Sequence, residues 1–359
     1  MSVPPSASSG DKASQQWMAE RLVISRATVS RCFTNHPAIN PKTRAAVFEL
    51  AARVGYEHLE SRTPKKRGRA KEYRVGVLIC SDPAQYLSGD YSSPGAGLVA
   101  GVSEYAQAHQ MRVEIHYVDP ALRTLEAGPL HALVGGRRRP WDGVILIYPF
   151  HTAVVAALQA RFPVVSLVEQ PGVAHLDCVD VDHALGMSVI IDRLVALGHG
   201  RIGFYTRRYP VEAGWSLRRY AAYVEKLARL GWELRTKDVV NVYADRGLEE
   251  GHAEVLRRVQ EGTTAWVCAA DHQAYDLVKA LKHAGLSVPG DVSVTGFDGI
   301  AKPARLAQAT TIQIPYREIG LTGARRLLDL MGKRFETNHH IQIAGRLVEG
   351  RTAGKCFRK

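Results

Sequence analysis

The 359-residue chain lacks most of the features that would give it a metal, a membrane or a disulfide framework. Its five cysteines, Cys32, Cys80, Cys178, Cys268 and Cys356, are scattered, with no CxxC pair and no Cys/His cluster at ligand spacing. Reduced thiols in a cytoplasmic chain that holds no metal and no cofactor are therefore expected. No apolar run approaches the length of a membrane span. The Ser- and Pro-rich opening, Met1 to Asp11, has no apolar signal core, and residues 1–13 are read as a disordered tail. No Ser/His/Asp set or pair of carboxylates stands out as catalytic machinery, which weighs against an enzyme. Acid is also in deficit, with 35 Asp and Glu against 47 Lys and Arg.

What is present is unevenly placed. Residues 1–73 hold thirteen Lys and Arg against six Asp and Glu, so most of the net charge of +12 lies near the N-terminus and an anionic partner is expected there. The length implies two or three folding units.

Between Ser14 and Tyr56 the pattern is helical and closely punctuated. Ser14 can cap a helix holding Trp17, Met18 and Leu22. Ile24 and Ser25 form a turn, and Ser25 can cap a second helix from Arg26 in which Val29 and Phe33 face inward. Arg26, Ala27, Thr28, Ser30 and Arg31 then face mainly outward. Asn40-Pro41 opens a third helix with the apolar stripe Val47, Leu50, Ala51 and Val54. A short helix, a tight turn and a second helix showing small polar and basic side chains suit insertion into a DNA major groove. A protein-docking bundle with a solvated basic face fits the same pattern.

The segment Ser25-Arg26-Ala27-Thr28-Val29-Ser30-Arg31, with Asn35-His36-Pro37, Pro41-Lys42-Thr43-Arg44 and Val54-Gly55-Tyr56, resembles the DNA-binding head of the lactose repressor/galactose repressor family. The resemblance implies that residues 14–58 are a helix-turn-helix head. Arg26, Ala27 and Arg31 would touch bases, and Ser25, Thr28 and Ser30 would hold the backbone. Leu22-Val23 stands where that family has Ala-Gly. A β-branched residue resists the positive φ that glycine adopts freely, which leaves the turn and the pose of the second helix open.

Residues 59–73 read as a linker. Arg62 to Lys71 carries six basic residues and no acid, and it lacks the pattern of the short hinge helix usual in the family. It is similar to basic arms that lie in narrow minor grooves, with Lys65, Lys66, Arg67 and Arg69 as the entering residues. A solvated spacer that touches phosphates non-specifically is the alternative.

Beyond the linker, short apolar runs alternate with helices. The strands are predicted at Arg74 to Cys80, Val113 to Tyr117, Gly143 to Tyr148, Val164 to Val168, Ile202 to Tyr205, Val239 to Val242, Ala265 to Cys268 and Val292 to Thr295. Such alternation predicts parallel sheets in doubly wound α/β lobes, and this many units need two lobes that face each other across a cleft. The stretches Trp141 to Leu146, Leu197 to Gly203, Val288 to Asp298, Thr310 to Pro315 with Glu318 and Gly320, and Leu347 to Thr352 resemble the same family. The fold class implied is α plus α/β: a three-helix head, a basic linker and a two-lobed, periplasmic-binding-protein-like effector domain. Lobe 1 is expected over 74–179 plus 313–336 and lobe 2 over 180–312 plus 337–359, with chain crossings near Asp180, Ile312 and Thr337.

For the ligand, Asp298 beyond the strand Val292 to Thr295 could accept two hydroxyl hydrogen bonds, the usual means of fixing a sugar. The resemblance assigns this Asp to the effector, and it assigns Arg219, in Arg219-Tyr220-Ala221-Ala222-Tyr223, as its complementary donor. Asp271 stands at a position often held by Asn. Tyr148, Glu169 and His183 are further candidates, and each would serve equally as a cap or surface residue. The run Gly95 to Gly101 resembles a dinucleotide fingerprint with the wrong last spacing, so small residues opening a helix are the better reading. The function expected is a homodimeric, sequence-specific regulator, a repressor in the first instance, that binds a pseudo-palindromic double-stranded operator under control of a small polar ligand, a sugar or sugar derivative. A sugar-binding receptor without a DNA role and a sugar- or nucleotide-processing enzyme are the competing readings.

Overall fold

The computed structural model describes residues 14–33, 36, 38–54, 56, 72–81, 94–126, 128–136, 139–169, 172–173, 175–207, 214–242, 247–332 and 337–356. The head is three helices, α1 (Gln15–Arg21), α2 (Arg26–Phe33) and α3 (Pro41–Arg53). Each start has a side-chain cap. Ser14 Oγ accepts from Trp17 N at 3.1 Å, Ser25 Oγ from Thr28 N at 3.0 Å, and Asn40 Oδ1 from Lys42 N at 2.9 Å. Such caps satisfy orphan amides and contribute about 1 kcal/mol each. Met18, Ala19, Val29, Cys32, Val47, Leu50 and Ala51 form the core between them.

The turn between α1 and α2 resolves the question raised by Val23. That residue takes φ +53°, the left-handed conformation glycine would supply, and its amide and that of Ile24 close the turn on Glu20 O and Ala19 O. The side chain is 91% exposed, so its branch meets solvent rather than protein. The residual cost is the local one, on the order of 1–2 kcal/mol.

The body contains two six-stranded sheets. In chain order its elements begin with β1 (Tyr73–Cys80), α4 (Pro94–Ala108), β2 (Met111–Val118), α5 (Gly128–Val134), β3 (Gly143–Ile147), α6 (Thr152–Gln159), β4 (Val164–Leu167) and β5 (Asp177–Val181). There follow α7 (His183–Ala196), β6 (Ile202–Arg207), α8 (Gly214–Arg229), β7 (Val239–Val242), α9 (Gly247–Gln260), β8 (Ala265–Cys268), α10 (Asp271–His283), β9 (Ser293–Asp298) and β10 (Thr310–Gln313). Last come α11 (Tyr316–Met331), β11 (His340–Ile343) and β12 (Arg346–Val348). The first sheet has the order β11-β5-β4-β3-β1-β2 and the second β12-β10-β9-β8-β6-β7. All pairings are parallel except β10 with β12. Parallel strands covered by helices on both faces explain why β1, β3 and β4 read as unbroken apolar runs.

The third chain crossing differs from the sequence expectation. β11 pairs with β5 in lobe 1, and β12 pairs with β10 in lobe 2. The crossing therefore falls at Ala344–Gly345 and not near Thr337, and residues 337–343 belong to lobe 1. A buried cluster explains the difference. Asp177 accepts from Arg326 Nε at 2.5 Å, His339 N at 2.9 Å and Asn338 Nδ2 at 3.0 Å, and Arg326 also donates to Thr337 O. Removing that segment would leave Asp177 and Arg326 paired only with each other, with their remaining polar atoms buried and unmatched.

Helices α4 and α11 cross at near backbone contact. A Cβ added to Gly101 would lie 2.0 Å from Arg317 O, and one added to Gly320 would lie 2.1 Å from Leu98 O. The glycines of the Gly95 to Gly101 run thus serve helix packing.

Candidate functional site

On the head, the outward face of α2 carries exposed Ser25, Arg26, Ala27 and Arg31, with Thr28 and Ser30 half-buried. Ser25 Oγ also lies 2.9 Å from Thr28 Oγ1, so its hydroxyl is shared between capping and any contact outward. Lys65, Lys66, Arg67 and Arg69 lie outside the described residues.

The second site lies where the carboxyl ends of strands in the two lobes meet. Among the described residues, Tyr148 just after β3, Val168 just after β4 and Asp298 at the end of β9 have φ of +72°, +57° and +146°. Non-glycine residues rarely hold such angles, and they collect at ligand sites where surrounding structure enforces them. β9 runs on to Asp298, beyond the predicted end at Thr295, and carries the carboxylate to the mouth.

Asp298 Oδ1 accepts from Arg219 Nη1 at 3.1 Å. Arg219 is nearly fully buried on α8, where it donates also to Ala269 O and, through Nε, to His183 Nδ1 at 3.2 Å. Its guanidinium lies 4.0 Å from the centroid of the Phe297 ring and 4.7 Å from that of Trp215, a stacking that fixes its plane. Because His183 Nδ1 accepts, Nε2 carries the proton and donates to Asp180 Oδ2 at 3.0 Å. Burial lowers the His183 pKa and agrees with a neutral ring. His183 thus orients Arg219 through a chain of hydrogen bonds, and its two ring nitrogens are both used within the protein.

Asp271 is likewise bonded within the protein. It is fully buried at the start of α10, with Oδ1 accepting from Thr311 Oγ1 at 2.6 Å and Oδ2 from Ile300 N at 2.9 Å. Its amide donates to Asp298 Oδ2 at 3.4 Å. Asp271 therefore holds the backbone around Asp298 in place, with each carboxylate oxygen bonded within the protein. Burial, with the Asp298 charge adding to it, pushes its pKa up to about 7. Burial raises Asp298 as well, against the opposing pull of Arg219.

Lobe 1 contributes Glu169 and Tyr148. Glu169 is buried, and its carboxylate accepts from Arg218 Nη2 at 2.7 Å and from Trp215 N at 3.4 Å. Both donors lie in the first turns of α8, in lobe 2, so this contact joins the lobes. Tyr148 Oη accepts from Gly95 N at 2.8 Å and ties the start of α4 to the strand end. Tyr316, first residue of α11, sets its hydroxyl near Asp298, where it favours the charged carboxylate. Arg218, Trp215, Phe297 and Tyr316 were not singled out from sequence. The spacing of Trp215 and Arg219, one helical turn apart, was the available signal for one of them.

Two facing α/β lobes with a charged, aromatic-lined mouth, joined to an exposed helix-turn-helix, define a DNA-binding regulator with a ligand-sensing domain. A family model described as a periplasmic binding protein-like domain matches residues 191–353. The HTH-type transcriptional repressor MelR of Bacillus subtilis (strain 168) is 26% identical over 334 residues, covering 90% of this chain and 92% of that repressor. The HTH-type transcriptional repressor CytR of Escherichia coli (strain K12) is 26% identical over 347 residues, covering 94% of each. Among solved structures, the Lac repressor dimer bound to operator and the anti-inducer ONPF superposes with a TM-score of 0.62 at 22% identity, over 96% of this chain and 100% of that one. The complex of the transcriptional regulator CelR with cellobiose gives 0.63 at 22% identity, over 95% and 99%. These likenesses, which run along nearly the whole chain, support a transcription regulator of the lactose repressor/galactose repressor type rather than an enzyme.

Proposed function

We propose that this protein is a cytoplasmic, homodimeric repressor whose hold on a pseudo-palindromic double-stranded operator is set by a sugar or sugar derivative bound between its lobes. The observation that carries the reading is the Asp298–Arg219 pair at the carboxyl end of β9, in a chain whose α2 presents exposed Arg26 and Arg31. Asp298 accepts hydroxyl protons of the ligand, Arg219 donates to a neighbouring oxygen, and Trp215 flanks the site as an apolar wall, with the buried Phe297 ring stacked on the guanidinium. Glu169 and Tyr148 stand on the lobe 1 side. Arg26, Ala27 and Arg31 read base edges. Ser25, Thr28 and Ser30 bond the phosphate backbone, and Lys65, Lys66, Arg67 and Arg69 enter the adjacent minor groove. The unit that closes is lobe 1, residues 74–181 with 314–343, against lobe 2, residues 182–313 with 344–356. Closure acts on the heads only through its differential fit to the two states.

The test is selection from random duplexes at moderate salt, followed by thermal-shift screening of sugars and sugar phosphates with the wild type and Arg219→Met. A selected palindrome and a ligand whose shift disappears in Arg219→Met are expected. A chain that enriches no sequence and is shifted by no polyol would end the reading.

A further inference from the structure

Strand β4 ends in a turn that aims one carboxylate across the cleft. Val168 takes φ +57°, and its amide donates to Val179 O at 3.0 Å. The next residue, Glu169, is 3% exposed, and its carbonyl oxygen accepts from Ser166 Oγ at 2.7 Å and from Cys178 Sγ at 3.1 Å. With its backbone pinned by two side chains of its own lobe, Glu169 sends its carboxylate into lobe 2. The place it occupies there suits an anion. α8 starts at Gly214, and a helix start offers unbonded amides and the positive end of the helix dipole. Trp215 N donates to Oε2 at 3.4 Å and Arg218 Nη2 to Oε1 at 2.7 Å. Gly214 puts no side chain over this cradle, since a Cβ there would lie 2.5 Å from Glu169 Oε1 and 3.0 Å from Arg218 Nη1. Arg218 Nη2 is also 3.9 Å from Asp180 Oδ2, and its buried Nε has no hydrogen-bond partner among the described residues. Trp215 joins the cradle to the mouth, because its amide faces Glu169 while its ring lies 4.7 Å from the Arg219 guanidinium.

We propose that Glu169 is a resident anion that sets the class of ligand: its carboxylate fills the cradle of Gly214, Trp215 and Arg218 and keeps phosphate and carboxylate ligands out of the mouth. A dissolved anion entering there has two routes. It can expel a carboxylate that the chain itself holds in place, at high effective concentration. Otherwise it stands beside that carboxylate, where like charges in a poorly hydrated site repel. An uncharged polyol meets neither obstacle, and Asp298 is left to accept from its hydroxyls. Of the two neighbouring guanidiniums, Arg218 is neutralised by Glu169 and Arg219 by Asp298, so the pair holds no surplus of positive charge for a phosphate. The effector class that follows is a free sugar or another neutral polyol, and not a sugar phosphate or a sugar acid. That class rests on the sugar-binding reading above, whereas the exclusion of anions by Glu169 does not.

The experiment is a calorimetric titration of the full-length chain with inorganic phosphate at constant ionic strength, in wild type, Glu169→Ala and the double variant Glu169→Ala/Arg218→Met. Glu169→Ala is expected to bind phosphate at least about tenfold more tightly than wild type, and loss of Arg218 is expected to return the affinity to the wild-type value. Equal binding in wild type and Glu169→Ala would overturn the proposal, and so would a gain that survives without Arg218. Glu169→Gln keeps the size of the side chain and removes only its charge, so it serves if Glu169→Ala does not fold. It is expected to gain about threefold, and no gain would again overturn the exclusion. The wild type supplies a separate arm, in which ribose and glucose are compared with ribose 5-phosphate and glucose 6-phosphate by thermal shift. In each pair the ester is expected to raise the melting temperature no more than the free sugar does, and an ester that raises it more would overturn the exclusion. Phosphate gained by Glu169→Ala, beside a screen in which no uncharged sugar shifts the wild type, would end the sugar reading and leave the exclusion of anions standing.

Discussion

Replacing Asp271 by Asn should stabilise the protein above neutral pH and leave it unchanged in acid. Asp271 is wholly buried and sits beside a second carboxylate, Asp298, with its pKa pushed from 3.8 up to about 7. Below about pH 3 its carboxyl is largely neutral in both the folded and the unfolded chain, and at pH 4 the charge penalty is still only about 0.5 kcal/mol. As pH rises, the unfolded chain ionises first and the folded chain resists, so stability is lost progressively until the pH passes about 7. At about 1.4 kcal/mol per pKa unit the loss has an upper bound of roughly 4 kcal/mol. Asn preserves the local geometry. Its Oδ1 can accept from Ile300 N, and its amide nitrogen can donate to the Thr311 hydroxyl, which then turns from donor to acceptor. The expected gain at pH 8 is about 2–4 kcal/mol, which at roughly 2–4 °C per kcal/mol means a melting temperature higher by about 5–10 °C. At pH 4 the two proteins should melt nearly together. Thermal unfolding of both across pH 4–8 is the assay. Curves that run parallel over that range would refute the argument, because the penalty would not then come from Asp271.

Glu169→Gln keeps the shape of the carboxylate but removes its charge from Arg218. The contact between lobes should weaken by about 1–2 kcal/mol, and the radius of gyration of the ligand-free chain in small-angle scattering should increase. Arg31→Ala should cost about 1–3 kcal/mol against the selected duplex, with less effect on a random one; equal losses on both would make Arg31 a phosphate contact. Val23→Gly relieves a β-branched residue at positive φ but adds freedom to the unfolded chain, so the head should gain no more than about 1 kcal/mol. A loss of more than that in thermal unfolding would mean that the exposed valine makes a contact that stabilises the turn.

Strands buried on both faces, such as β1 and β3, announced themselves as unbroken apolar runs, and the caps Ser14, Ser25 and Asn40 announced the head. Four strands were silent for identifiable reasons. β5 carries Asp177 and Asp180, both buried but paired within the fold, so its sequence does not look like a core strand. β10 is largely threonine and glutamine. β11 and β12 are short and half-exposed, and what holds β11 is its register with β5, a partner more than 150 positions distant. The crossing was misplaced because Arg326, Asp177 and Thr337 come together only in space. The same applies in the site, where Asp298 and Arg219 stood out in sequence while Arg218 and Tyr316 acquire meaning only from the opposite lobe.

The bonds that Asp271 and His183 make within the protein bear on what the mouth would recognise in the reading proposed above. Had all the polar side chains there been open to a ligand, the site would have to exchange water for ligand at each of them, with no fixed geometry to favour one arrangement of hydroxyls. Instead His183, itself held by Asp180, and Ala269 use up one side of Arg219, while Thr311 and Ile300 bond Asp271. In the proposed reading a ligand meets, from lobe 2, one carboxylate, one guanidinium edge and the half-buried Trp215 ring, while the fully buried Phe297 ring stacks on the guanidinium. Selectivity in such a site comes from the cost of leaving those few fixed groups unpaired, and that cost exceeds what one added contact contributes. The φ of +146° at Asp298 belongs to the same design. A backbone angle of that kind costs on the order of 1–3 kcal/mol and persists here because Asp271 and Arg219 hold the residue on both sides, which is also why perturbing either support should be felt at Asp298 before any ligand arrives.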